Sequence, residues 1–94
     1  MDIYSAKTTK TRLTSFKKAA DMYKASNGNY PHTFDVFIDE MFEEDQREIN
    51  KVDSWGEKII YRYDSANDIY EFISPGPDKT FDTEDDIIIS NKKN

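Results

Sequence analysis

The N-terminal third of the chain carries apolar residues with the period of an α-helix. Four of them recur at spacings of three, four and three residues, which places them in one stripe on a helix surface. The stripe consists of Leu13, Phe16, Ala20 and Tyr23. No Gly or Pro interrupts residues 3–27, and Asn27-Gly28 supplies the left-handed stop that commonly ends a helix. We therefore predict one long helix over residues 3–27.

The start of this predicted helix has a different composition. Thr8, Thr9 and Thr11 stand there among Lys and Arg residues, with little apolar content. We expect this part of the helix to be frayed or to face solvent.

A second, shorter helix is predicted after the turn at Tyr30-Pro31. Thr33 is a suitable N-cap residue, and four apolar residues follow it at spacings of three, one and three. They are Phe34, Phe37, Ile38 and Met41. An acidic stretch over residues 43–48 and a turn signal at residues 53–56 come next.

After Gly56 the apolar period changes to two, which predicts β-strands. Residues 58–63 form a half-buried strand, residues 64–68 a hairpin connection, and residues 69–74 its partner. Residues 87–89 are a short third strand. The predicted fold is α+β: a long N-terminal helix packed on a small three-stranded antiparallel sheet, with a short second helix in the connection. We expect the helix stripe to bury against Tyr61, Phe72 and the third strand.

The composition limits the chain to one small domain, residues 1–94. Of its 94 residues, 36% are hydrophobic and 14% aromatic, enough for a single core. The absence of Cys excludes disulfides, thiolate nucleophiles and Cys-ligated metals, and the single His32 excludes a multi-histidine site. No nucleophile–base pair or phosphate-cradling Gly loop is present, which disfavours an enzyme.

Charge divides the chain into two parts. Residues 1–31 hold six basic and two acidic residues, whereas residues 32–94 hold seven basic and seventeen acidic ones. This asymmetry indicates distinct surfaces on one domain or head-to-tail attraction between copies. The net charge of −6 argues against a nucleic-acid partner, which requires Lys and Arg to neutralise phosphates. No apolar run approaches the ~20 residues that span a bilayer.

The densest candidate chemistry lies in residues 78–86, where five carboxylates accompany one Lys. Oxygen-only ligands on a Gly-bearing loop between two strands suit a hard cation such as Ca²⁺. A solvated acidic turn, capped locally by Asp82 or Thr83, explains the same composition. Composition leaves both interpretations open.

Four stretches in a fixed order resemble the soluble domain of the major pseudopilin of bacterial type II secretion, one of the type IV pilin-like proteins. They are residues 23–31 (YKASNGNYP), 53–56 (DSWG) followed by 60–63 (IYRY), 74–78 (SPGPD) and 85–87 (DDI). The resemblance implies a structural subunit of a helical filament, built from copies of this chain and other pseudopilin-like subunits by inner-membrane machinery. It implies support of protein secretion across the outer membrane. It also implies an inner-membrane location, with a membrane-spanning half of the helix before residue 1 and this domain in the periplasm.

The resemblance further implies that the loop before the last strand binds Ca²⁺. Carried over by position, the ligands are first Asp78 and Asp85, then Asp86 and Asp82, with Ser74 and neighbouring carbonyls as backbone contributors. Lys79 stands where the family usually has Gly, which predicts a different turn geometry there.

The alternative function is a soluble binding or adaptor module without filament assembly. It would use the Tyr-rich face of the predicted sheet, and a polar sequence or a second domain upstream of residue 2 would favour it.

Overall fold

The computed structural model describes residues 3–92, with side chains from residue 7 onward. Its helices are α1 (Ile3–Asn27) and α2 (Phe34–Met41), and its strands are β1 (Ile60–Asp64), β2 (Ile69–Ser74) and β3 (Ile87–Ser90). The strands form one antiparallel sheet in the order β1-β2-β3. This architecture confirms the predicted α+β fold.

The apolar stripe of α1 forms the centre of the core. Leu13, Phe16 and Ala20 are buried, whereas Tyr23 is half-buried. The Phe16 ring lies 5.3 Å from that of Phe72 on β2, centroid to centroid. Burial of these residues follows from the predicted periodicity, since one face of α1 packs on the sheet.

The tyrosines that the adaptor alternative required for binding belong to this core. Tyr70 is fully buried, and Tyr61 donates a hydrogen bond from its hydroxyl to the Pro31 carbonyl at 2.7 Å. Tyr70 and Tyr61 are therefore used in packing, whereas Tyr63 is half-buried beside the connection between the two helices.

The expectation that the start of α1 is frayed or solvent-facing is wrong for two residues. Thr9 is fully buried; its hydroxyl donates to Ser54 Oγ at 2.8 Å and accepts from the Ser54 amide at 3.1 Å. Arg12 donates to the carbonyls of Val52 at 2.6 Å and Ile49 at 3.3 Å. These hydrogen bonds dock a polar helix segment that has no apolar stripe to bury.

Local signals set the ends of the helices. Gly28, at φ +85°, ends α1, and the Thr33 side chain caps α2 by accepting from the Val36 amide at 3.1 Å. The first strand begins at Ile60 rather than at Lys58, because Lys58 pairs with Val52 in an isolated bridge instead. The acidic stretch contains a short 3₁₀ turn, Glu44–Gln46, and a second one, Ile49–Lys51, follows it.

Candidate functional site

The candidate site is the acidic loop, residues 75–86, which joins β2 to β3. It opens with a 3₁₀ turn over Gly76–Asp78, closed by a hydrogen bond from the Lys79 amide to the Gly76 carbonyl at 3.0 Å. Lys79 has φ +58° and ψ +22°, the left-handed conformation that glycine favours. Lys79 therefore adopts a conformation that a glycine takes without strain, and the predicted difference from the family's turn stays a prediction.

Asp78 folds the acidic loop on itself. Its Oδ1 accepts from the Thr80 amide at 3.0 Å, and its Oδ2 accepts from the Thr83 hydroxyl at 2.6 Å. These hydrogen bonds, first that from Thr83, favour the ionised carboxylate and hold the pKa of Asp78 below its usual range. Thr83 Oγ1 also accepts from the Asp85 amide at 3.2 Å, so Thr83 links two of the predicted ligands.

Asp86 and Asp82 form a second contact within the loop. Asp86 Oδ2 accepts from the Asp82 amide at 2.8 Å, and Asp82 has φ +65°. The other carboxylate oxygen, Asp86 Oδ1, is buried and has no hydrogen-bond partner. A buried carboxylate oxygen without a partner is unfavourable, and a bound cation would satisfy it.

The two ends of the acidic loop touch at Gly76. This glycine has φ +76°, and a Cβ placed on it would lie 2.1 Å from the Asp85 carbonyl oxygen. No other residue type allows the two backbone segments to come this close. The contact brings the carbonyl of Asp85, a predicted ligand, to the start of the loop.

The structure places the Ser74 side chain away from the acidic carboxylates of the loop. Its hydroxyl donates to Asp53 Oδ2 at 2.6 Å and accepts from the Gly76 amide at 3.1 Å. Asp53 is buried, with only 4% of its surface exposed. The sequence predicts Asp53 only as part of a turn and does not indicate that it is buried.

Hydrogen bonds link the predicted ligands in pairs, but the ligand side chains do not form one cluster. Asp78 and Asp85 meet through Thr83, and Asp82 meets Asp86. Among residues 3–92, no three acidic or histidine side chains are arranged as a ready set of metal ligands. The donors nevertheless fit Ca²⁺ in kind, because all are oxygens and Asp86 Oδ1 is buried and unpaired. An ion here would rely on backbone carbonyls as well as carboxylates.

Comparison with known proteins decides the family. The family model described as type II secretion system (T2SS), protein G, matches residues 2–92. The chain belongs to this family. It is a pseudopilin, a structural subunit of a type II secretion system, and the family consists of structural proteins rather than enzymes. Such pseudopilins assemble into a pseudopilus with other secretion components and are generally membrane-associated, with a periplasmic domain.

A solved structure is similar to this pseudopilin over nearly its full length. It is the crystal structure of the major pseudopilin from the type 2 secretion system of enterohaemorrhagic Escherichia coli. The TM-score is 0.67 at 22% identity, with 93% of this chain and 87% of that chain covered. At this identity the similarity shows a shared fold. Comparison with curated proteins gives no match.

No helix within residues 3–92 combines the length with the apolar content needed to cross a membrane.

Proposed function

We propose that this chain is the periplasmic domain of a pseudopilus subunit and that it supports protein secretion across the outer membrane by assembling into a helical filament. The family match over residues 2–92 carries this proposal. The shared fold supports it, since α1 extends from the N-terminal end of the domain as a helical spine. The proposed function is structural and requires no reaction.

The filament proposal is tested with the subunit expressed together with the remaining secretion components. Filaments sheared from the cells should contain the subunit, detected by antibodies against this domain and by electron microscopy. Filaments that form normally but never contain the subunit would contradict the proposal.

We further propose that the acidic loop binds Ca²⁺. Asp78, Asp85 and Asp86 are the proposed carboxylate ligands, with Asp82 and the Ser74 carbonyl as additional contributors. The unpaired Asp86 Oδ1 supports the site, because this buried oxygen accepts no hydrogen bond and a bound ion would supply the missing partner. When bound, the ion would neutralise repelling carboxylates and add its binding free energy to folding.

Thermal unfolding tests the calcium proposal. Melts in EDTA, in millimolar Ca²⁺ and in millimolar Mg²⁺ should show that Ca²⁺ alone raises the midpoint by several degrees, because a ligand of the folded state stabilises it. Asp78→Ala, Asp85→Ala and Asp86→Ala should each reduce this gain. Asp35→Ala, an exposed carboxylate on α2, is the control and should leave the gain unchanged. Superimposable wild-type melts would refute calcium binding and leave the subunit assignment standing.

We also propose that subunits attract one another through opposite charges. Three lysines on the exposed side of α1 form the lysine face: Lys7, Lys10 and Lys18. The acidic segment, residues 35–48, holds seven carboxylates and one arginine. Ion pairs within the described side chains use Lys24, Arg47 and Lys51 instead of the lysine face. The lysine face is thereby available to the acidic segment of a neighbouring copy.

A further inference from the structure

Asp53 is a buried carboxylate that is stabilised by hydrogen bonds. Its Oδ1 accepts from the amides of Trp55 and Glu57, both at 2.9 Å, and its Oδ2 accepts from the Ser74 hydroxyl at 2.6 Å. Burying a carboxylate is costly unless its oxygens are satisfied, and these three donors satisfy both. Asp53 takes part in none of the ion pairs among the described side chains.

The turn that carries Asp53 is fixed on the long helix. The neighbouring Ser54 exchanges hydrogen bonds with Thr9 of α1, which is fully buried. The Asp53 amide also donates to the Glu57 carbonyl at 2.8 Å. Asp53 is therefore presented by a rigid turn, from which its carboxylate reaches across to the end of β2.

Ser74 transmits this fixed position to the acidic loop. A hydroxyl has one proton and two lone pairs. The Ser74 hydroxyl donates its hydrogen bond to Asp53, so the lone pairs of its oxygen can accept a hydrogen bond from the Gly76 amide at 3.1 Å. Gly76 in turn lies directly against the Asp85 carbonyl. A continuous path of contacts thus runs from Asp53 through Ser74 and Gly76 to Asp85.

We propose that Asp53 is a positioning residue for the calcium site of the acidic loop. It orients the Ser74 hydroxyl, which fixes the Gly76 amide and thereby the place where the Asp85 carbonyl and the start of the loop meet. This inference rests on the proposed calcium binding and assigns a role to a residue outside the proposed ligands. Residues that orient ligands typically change metal affinity by roughly 10- to 100-fold when they are substituted.

The substitution Asp53→Asn tests the path with a small change in shape. An Asn side chain keeps an oxygen for the amides of Trp55 and Glu57, but it presents an NH₂ group to Ser74. Ser74 must then accept a hydrogen bond instead of donating one, and its proton loses its partner. Ser74→Ala removes the hydroxyl that forms the next step of the same path. It is the test variant if Asp53→Asn does not fold.

Asp64→Asn is the matched control. Asp64 caps the turn at the opposite end of the β1–β2 hairpin, where its Oδ1 accepts from the amides of Ala66 and Asn67 at 3.1 and 3.4 Å. The chemical change is the same, but Asp64 has no hydrogen bond to the acidic loop. Calcium affinity is measured by isothermal titration calorimetry, and the stability of each metal-free variant by urea unfolding.

Weakening of Ca²⁺ affinity by at least about 10-fold in Asp53→Asn and Ser74→Ala, with Asp64→Asn unchanged, would support the proposal. The double variant should then lose little more affinity than either single one, because both interrupt one path. Loss of metal-free stability with wild-type affinity would overturn it, since Asp53 would then be purely structural. If the wild-type chain binds no Ca²⁺, the proposed calcium site itself is refuted, and the positioning role is refuted with it.

Discussion

Phe16 joins three parts of the fold through one side chain. It is 1% exposed, and its ring centroid lies 5.4 Å from that of Phe37 on α2, 5.6 Å from Phe42 and 5.3 Å from Phe72 on β2. The contacts with Phe37 and Phe42 are edge-to-face, an arrangement that aromatic rings favour. Phe16→Ala would therefore open a cavity between α1, α2 and the sheet.

The expected cost is large relative to the stability of the domain. Truncating a buried Phe to Ala costs roughly 3–5 kcal/mol, and the upper half of this range applies where the surrounding rings cannot collapse into the cavity. A chain of this length has a free energy of unfolding of roughly 5–14 kcal/mol in total. We expect the melting temperature to fall by at least about 12 °C, since each kcal/mol shifts it by about 4–8 °C in a domain of this size.

Urea unfolding followed by circular dichroism measures this loss. Met22→Ala, on the same helix but 63% exposed, is the control and should change stability by less than about 0.5 kcal/mol. Phe16→Leu, which keeps most of the volume, should lie between the two and serves if Phe16→Ala does not fold. A loss below about 1 kcal/mol for Phe16→Ala, with an unchanged urea m-value, would refute the central role of this ring.

Three further predictions concern the acidic loop, the sheet and the filament. Gly76→Ala should destabilise the domain more than Gly28→Ala in urea unfolding: both glycines have positive φ, but only a Cβ at Gly76 meets another backbone segment; equal losses would contradict this. The hydrogen bond from Lys24 lowers the pKa of Asp68. The Lys24–Asp68 pair therefore stabilises the fold above about pH 4, and this stabilisation is lost as pH falls through the folded-state pKa of Asp68. Asp68→Asn should therefore destabilise more at pH 7 than at pH 2, and the same loss at both would count against this pair. Filament assembly should weaken with added salt, and reversing the charge of the lysine face should weaken it further, as measured by sedimentation; salt-insensitive assembly would reject the charge hypothesis.

Local patterns in the sequence predict most of the fold. The stripe that includes Leu13 and Phe16, the cap at Thr33 and the stop at Gly28 all act within a few residues, and the structure confirms each of them. The same holds for the alternation that places Phe72 in the core. These features depend on the helical period, the strand period and backbone conformation, which a single sequence records directly.

The sequence predicts the polar contacts less well, because they join distant parts of the chain. Thr9 meets Ser54 across 45 residues, and Asp53 meets Ser74 across 21. An Asp before Ser-Trp-Gly is equally typical of an exposed turn, so its burial could not be predicted. The acidic loop was found from its composition, but composition could not indicate that Asp86 would have one oxygen in a hydrogen bond and the other buried without a partner.

The acidic loop combines an ordered backbone with uncompensated charge. Hydrogen bonds from Thr83 to Asp78 and from the Asp82 amide to Asp86, together with the contact at Gly76, define its course. These contacts within the chain offset part of the conformational entropy that closing the loop costs. What remains is repulsion among carboxylates that the described ion pairs do not neutralise. At the proposed site, Ca²⁺ would neutralise this repulsion and so add its binding free energy to folding.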